Sequence, residues 1–85
     1  MDRISIILTV RQSTGSNEVE VTGECEKEYN ELALYAFSGD IIMLAKESDG
    51  QLIPWTKEVK YRQFCLAFRF ESKEKKKEFL SYLLA

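Results

Sequence analysis

The strongest constraint on the fold is a run near the C-terminal end in which a large apolar residue occupies every second position. These residues are Phe64, Leu66, Phe68 and Phe70. Because successive side chains of a β-strand point to opposite faces, this period of two predicts a strand with one buried face. We therefore predict that the phenylalanines lie in the core of a sheet.

A second alternating stretch lies at the start of the chain. Every second residue from 4 to 10 is aliphatic, and turn-forming residues fill positions 13 to 17. Val19 and Val21 then alternate with glutamates and Thr22. Two alternating stretches joined by turn residues are typical of a β-hairpin, so we predict that they form two neighbouring strands of the sheet.

After Glu24 the apolar residues are spaced three and four apart. The residues with this spacing are Cys25, Tyr29, Leu32, Ala33, Ala36 and Phe37. The spacing is typical of one face of a helix. Gly39 follows closely, and glycine readily adopts the left-handed conformation that ends many helices. We therefore predict a first helix near residues 25 to 38.

Two interpretations are open for the segment that follows. In the preferred one, Ile41 to Leu44 form a short strand, and a hairpin turn at Asp49-Gly50 joins it to a strand over residues 52 to 55. Pro54 has no N–H to donate, so we expect that second strand at a sheet edge. In the alternative, the helix continues to about Glu47.

The last element is predicted from a capping residue and an apolar face. Ser72 is a preferred N-cap residue, and it precedes a segment whose apolar residues share one helix face: Phe79, Leu80, Leu83 and Leu84. The predicted order is ββαβββα, an α+β fold with an antiparallel sheet and two helices on one face. The 85 residues, 45% of them hydrophobic and 31% charged, are expected to form a single domain, 1–85.

The alternating aromatic strand that runs directly into an amphipathic helix, at about residues 62 to 84, resembles the ending of pleckstrin-homology-like domains. The resemblance implies a β-rich domain with a C-terminal helix. In such a domain residues 25 to 38 are strand and not helix. This architecture is the alternative to the α+β prediction.

The sequence lacks the residues that several classes of enzyme usually require. Histidine is absent, and the four glycines are isolated, so the chain has no P-loop and no dinucleotide-binding fingerprint. Asp40 and Asp49 are the acidic pair considered for a divalent cation, and a solvated surface is the preferred interpretation. We therefore predict a protein that is not an enzyme, with no cofactor and no metal site.

The location of the protein is predicted from its apolar runs. No stretch approaches the ~20 apolar residues of a membrane span, and the run at 4 to 10 lacks the cleavage site of a signal peptide. We expect a cytoplasmic protein without a membrane partner. Cys25 and Cys65 are then expected to be reduced thiols packed in the core, with a disulfide between them as the alternative.

Charge is unevenly distributed along the chain. Residues 1 to 49 hold ten acidic and four basic side chains, and residues 50 to 85 hold four acidic and eight basic ones. In the first part, Glu18 and Glu20 share a strand face, and three further glutamates share a helix face at spacings of four and three: Glu24, Glu28 and Glu31. These five residues are the predicted acidic contacts for a partner, although a solvated face explains them equally simply.

The C-terminal part carries the alternative binding surface. Four lysines lie in the first turns of the last helix, where the helix dipole disfavours cations: Lys73, Lys75, Lys76 and Lys77. A lysine-rich helix start can hold an anion, and Tyr61 is a candidate for stacking on a nucleic-acid base. Trp55 lies beside the edge-strand proline and is either a residue at the rim of the core or an anchor for a partner.

The function predicted from these features is a non-catalytic protein-interaction module, an inhibitor or adaptor that binds a larger protein through its charge patches and Trp55. This class includes host-directed and anti-defence proteins of mobile elements. Nucleic-acid binding through the basic C-terminal third is the alternative, which the sequence pI of 5.2 disfavours. Opposite patches could also pair between copies, which makes a homo-oligomer a further possibility.

Overall fold

The structure, a computed structural model, describes residues 6–12, 17–25, 31–53, 58–60 and 62–84, with the backbone alone at positions 31, 32, 58 and 60. It confirms the α+β prediction and the order ββαβββα. The elements are β1 (Ile6–Gln12), β2 (Glu18–Cys25), α1 (Glu31–Glu47), β3 (Gln51–Leu52), β4 (Glu58–Lys60), β5 (Gln63–Arg69) and α2 (Lys73–Leu83).

The strands form one antiparallel sheet in which β2 and β5 are central. The order is β1, β2, β5 and β3, and β4 also pairs with β5. Because β2 occupies one side of β5, the two short strands share the other side. β3 aligns with Phe68 and Arg69, and β4 aligns with residues 63 to 65.

The core lies on one face of this sheet, as the alternation in β2 and β5 predicts. Every second residue from Val19 to Cys25 and from Phe64 to Phe70 is buried. The ring centroids of Phe37 and Phe64 lie 6.0 Å apart, and those of Phe68 and Phe79 lie 5.5 Å apart. Since Phe64 and Phe68 point to the same side of β5, both helices pack on that face.

Helix α1 contradicts the preferred interpretation of the segment that precedes Glu47. Cys25 is the last residue of β2, so the helix begins six residues later than predicted. Ile41 to Leu44 belong to this helix and not to a strand, which confirms the alternative interpretation. The helix continues because a row of buried residues repeats at steps of four and three: Leu34, Ser38, Ile41 and Ala45.

The helix ends eight residues beyond Gly39, at Glu47, and a Schellman motif follows. Asp49 adopts a left-handed conformation with φ of 58°. Its N–H donates to the carbonyl of Lys46, and the N–H of Gly50 donates to the carbonyl of Ala45, at 3.0 and 2.8 Å. These two hydrogen bonds satisfy helix-terminal carbonyls that would otherwise lack partners. The Asp49-Gly50 pair therefore ends a helix and does not form the predicted hairpin turn.

The third strand of the predicted order was placed wrongly. β4, at Glu58–Lys60, is an unpredicted strand that takes the place of the one predicted at 41 to 44. The strand predicted at 52 to 55 corresponds to β3, which lies at a sheet edge as expected, while Pro54 and Trp55 lie outside the described residues. The pleckstrin-homology-like alternative is wrong, because residues 31 to 38 are helical.

The start of α2 confirms the predicted cap. The Ser72 hydroxyl accepts a hydrogen bond from the N–H of Lys75 at 3.2 Å, which satisfies one of the free N–H groups of the first turn. The apolar side of α2 then packs on the core through Phe79, Leu80 and Leu83. None of the helices in the described part of the chain is both long and apolar enough to cross a membrane.

Candidate functional site

One face of the sheet is not covered by the helices, and we call it the open face. It consists of the side chains that alternate with the core residues of the longer strands. Its members on the described strands are Ile7, Thr9, Arg11, Glu18, Glu20, Thr22, Glu24, Gln51, Gln63, Cys65, Ala67 and Arg69. All are exposed or half-buried, so a whole sheet face meets solvent.

The carboxylates of the open face come from the central strand β2. Glu18 is paired with Arg69, whose Nη2 lies 2.8 Å from Oε1 of the glutamate. Glu20 and Glu24 are exposed, and no ion pair of either is found among the described residues. Two carboxylates on a central strand are therefore available to a partner's cations.

Between these charges the side chains of the open face are short and uncharged. The register aligns Thr22 with Cys65 and Glu20 with Ala67. Thr22 Oγ1 lies 3.6 Å from Cys65 Sγ, and Gln63 Nε2 donates to the same sulfur at 3.8 Å. Short side chains at the centre leave the sheet surface accessible to a second protein surface.

The two thiols lie on opposite faces of the sheet. Cys25 is buried in the core, and this burial raises the pKa of its thiol. Cys65 lies half-buried on the open face, so the prediction that both thiols pack in the core is wrong for Cys65. Both cysteines are free thiols, and their places on opposite faces exclude a disulfide between them within one chain.

The structure separates the predicted acidic residues. Glu18 and Glu20 share a strand face as predicted, and Glu24 lies on the same face of β2. The helix face predicted for Glu24 is therefore wrong. Glu28 lies outside the described residues, and Glu31 is described only by its backbone, as the first residue of α1.

The predicted lysine cluster is divided by its contacts. Lys75 Nζ lies 3.3 Å from Asp49 Oδ2 and 3.9 Å from Glu78 Oε2. The hydrogen bond and charge of Asp49, followed by the charge of Glu78, raise the pKa of Lys75. Lys76 is buried, with 8% of its surface exposed, which leaves Lys73 and Lys77 as the exposed members. Tyr61 lies outside the described residues.

The outer side of α1 carries exposed residues that the sequence analysis missed. Tyr35 and Met43 are 49% and 61% exposed, and they lie two turns apart with Gly39 between them. Their spacing of eight residues would have indicated a shared helix face. The signal was lost because Met43 was assigned to a strand.

The acidic pair considered for a cation is not brought together as a site. Asp49 is paired with Lys75, and Asp40 is exposed on α1. Within the described ranges, no group of three or more acidic or cysteine side chains has the arrangement of a metal site. Asp40 and Asp49 therefore remain surface residues of α1 and of the turn that follows it.

Comparison of the chain with protein-family models, with curated proteins and with solved structures gives no match.

Proposed function

We propose that this chain is a non-catalytic protein-interaction domain, an inhibitor or adaptor, whose docking surface is the open face of the sheet. The observation that carries the proposal is the pair of exposed carboxylates, Glu20 and Glu24, on a sheet face that the helices leave to solvent. A protein with a basic surface is the partner that fits these charges.

The scaffold behind this face supports a binding role. Glu20 lies between Val19 and Val21, and Glu24 precedes Cys25, all three of which are buried; on β5 Phe64 and Phe68 are fully buried. Close-packed cores resist deformation, so the backbone of β2 that carries the glutamates is held in place before a partner arrives. A preformed surface loses less conformational entropy on binding than a mobile one.

The electrostatics support the same role. Glu18 is already neutralised by Arg69, whereas Glu20 and Glu24 can attract a basic partner without first breaking an ion pair. Complementary charge of this kind raises the association rate and selects against acidic partners. The short uncharged side chains of Thr22, Cys65 and Ala67 allow the partner to approach the sheet closely.

The test is capture of a partner with charge-reversed variants. We expect the immobilised native chain to retain a basic protein from an extract of its source cells. Mass spectrometry identifies the retained protein. The variant Glu20→Lys/Glu24→Lys should lose that protein. The matched control is Asp40→Lys/Glu47→Lys, which reverses two exposed acids on α1 and should retain it.

Circular dichroism of each variant confirms that the fold is intact before binding is compared. If Asp40→Lys/Glu47→Lys loses the captured protein and Glu20→Lys/Glu24→Lys retains it, the docking surface lies on α1 and the proposal is contradicted. A further variant, Tyr35→Ala/Met43→Ala, identifies the contact in that case, because these are the exposed apolar residues of α1.

A further inference from the structure

The two edges of the sheet are built differently. One edge is divided between β3 and β4, which have two and three residues. The other edge is β1, with seven residues, and none of the described residues pairs with its outer side. Short edge strands, charged side chains and prolines are the usual protection against pairing with another chain. β1 has only one such feature, the charged residue Arg11 near its end.

The core is also incomplete along β1. Val21 and Cys25 on β2 are buried, whereas the residues aligned with them, Val10 and Ile6, are only half-buried, as is Leu8 between them. The apolar row of β1 is therefore partly exposed to solvent. Covering such a row with further apolar side chains is favourable, because it removes apolar surface from water.

We infer that β1 is a dimerisation strand that pairs antiparallel with β1 of a second copy of this chain. A two-fold axis at Thr9 aligns all seven residues of the strand with their counterparts. Leu8 then faces Val10 of the second copy, and Val10 faces its Leu8. On the core side these four side chains form one apolar cluster that joins the two cores. The same surface serves both copies, as two-fold symmetry requires.

Charge complementarity supports this register. Arg11 faces Ile7 of the second copy, and the β2 neighbour of Ile7 is Glu24. On its own chain Arg11 is aligned with Glu20. Each arginine therefore lies in a row that has a carboxylate on both sides. The two arginines lie four residues apart along the strands, at about 14 Å, so they do not repel each other strongly.

Sedimentation equilibrium of the native chain tests the dimer, because the mass of a reversible dimer depends on concentration. We expect the mass to rise from monomer to dimer across micromolar concentrations. Thr9 is exposed, so Thr9→Lys leaves the monomer folded but places two lysines opposite each other in the dimer. The dissociation constant of the dimer should rise at least about tenfold. Gln63→Lys is the matched control, exposed on the same face of β5, and should dimerise as the native chain does.

The two-fold axis has a test of its own. Thr9→Glu should weaken the dimer as Thr9→Lys does. An equimolar mixture of the two variants should dimerise more tightly than either variant does on its own, because each dimer then aligns a lysine with a glutamate. A native chain that remains monomeric overturns the proposal. So does a Thr9→Lys chain that dimerises as tightly as the native one, or a mixture that forms no heterodimer. The dimer and the docking surface are tested by different substitutions and readouts: Thr9 and Gln63 variants in sedimentation for the dimer, and Glu20 and Glu24 variants in partner capture for the docking surface.

Discussion

At the scale of single residues, Gly23 is the position where a missing side chain matters most clearly, because the ring of Phe64 lies against it. The two residues are aligned across β2 and β5, and a Cβ at position 23 would overlap the Phe64 ring. The absence of a side chain at Gly23 is what allows the fully buried ring of Phe64 to lie close against β2. A glycine in a strand interior often marks such a close approach.

Gly23→Ala should therefore destabilise the protein. The ring must leave its position or the strand must shift, and such overpacking costs about 1–3 kcal/mol. Urea denaturation followed by circular dichroism measures the change in the free energy of unfolding. A change below about 0.5 kcal/mol, which is typical of a substitution at an unconstrained surface position, would show that Phe64 does not occupy this place.

The sequence predicts single residues well where alternation is regular. The burial of the phenylalanines at 64, 68 and 70 follows from this alternation, as does the location of Glu18 and Glu20 on one face of β2. It does not predict the contact of Glu18 with Arg69, because those residues are 51 positions apart and meet only through the β2–β5 register. The half-buried place of Cys65 on the open face follows from the same alternation, although free cysteines are generally buried in the core.

At the scale of elements, α1 shows that packing against the sheet can outweigh the local helix propensity of a residue. Glycine at position 39 suggests a helix end, yet the helix passes through it and ends at the Schellman motif of Asp49 and Gly50. The burial of Ile41 and Ala45 against the sheet outweighs the cost of about 1 kcal/mol for a glycine inside a helix. β4 was missed for a related reason, since a three-residue strand in a charged segment is defined by its pairing with β5 and not by its own pattern.

Gly39→Ala provides a direct test of the long helix. Among the described residues, a Cβ at position 39 meets no atom within 4 Å apart from its chain neighbours and the adjacent backbone of its own helix, so alanine fits there without strain. We expect the substitution to stabilise the protein by about 0.5–1 kcal/mol, because alanine favours the helix interior. Thermal denaturation measures this as a rise in Tm. A lower Tm would indicate a left-handed glycine that ends the helix at residue 38, contrary to the structure.

At the scale of the whole molecule, the charge layout governs what the protein can bind. The net charge is −2, and the predicted lysine cluster is divided because Lys75 is held by Asp49 and Lys76 is buried. Strong nucleic-acid binding requires several cations that contact phosphates together. This arrangement leaves Lys73 and Lys77 as the exposed cations of that helix start.

We therefore expect no appreciable binding to DNA or RNA at physiological ionic strength, where the Debye length is about 8 Å. An electrophoretic mobility-shift assay with single- and double-stranded probes measures this. The contrary result is submicromolar binding that is lost in Lys73→Glu/Lys77→Glu. That result would favour nucleic acid over protein as the partner.

Methyl NMR of the chain in complex with its captured partner tests whether the open face is the docking surface. The methyl groups of Thr22 and Ala67 lie on the open face, and that of Met43 lies on the outer side of α1. Titration with the purified partner should shift or broaden the signals of Thr22 and Ala67 and leave the signal of Met43 unchanged. A shift confined to Met43, with Thr22 and Ala67 unaffected, would contradict the account.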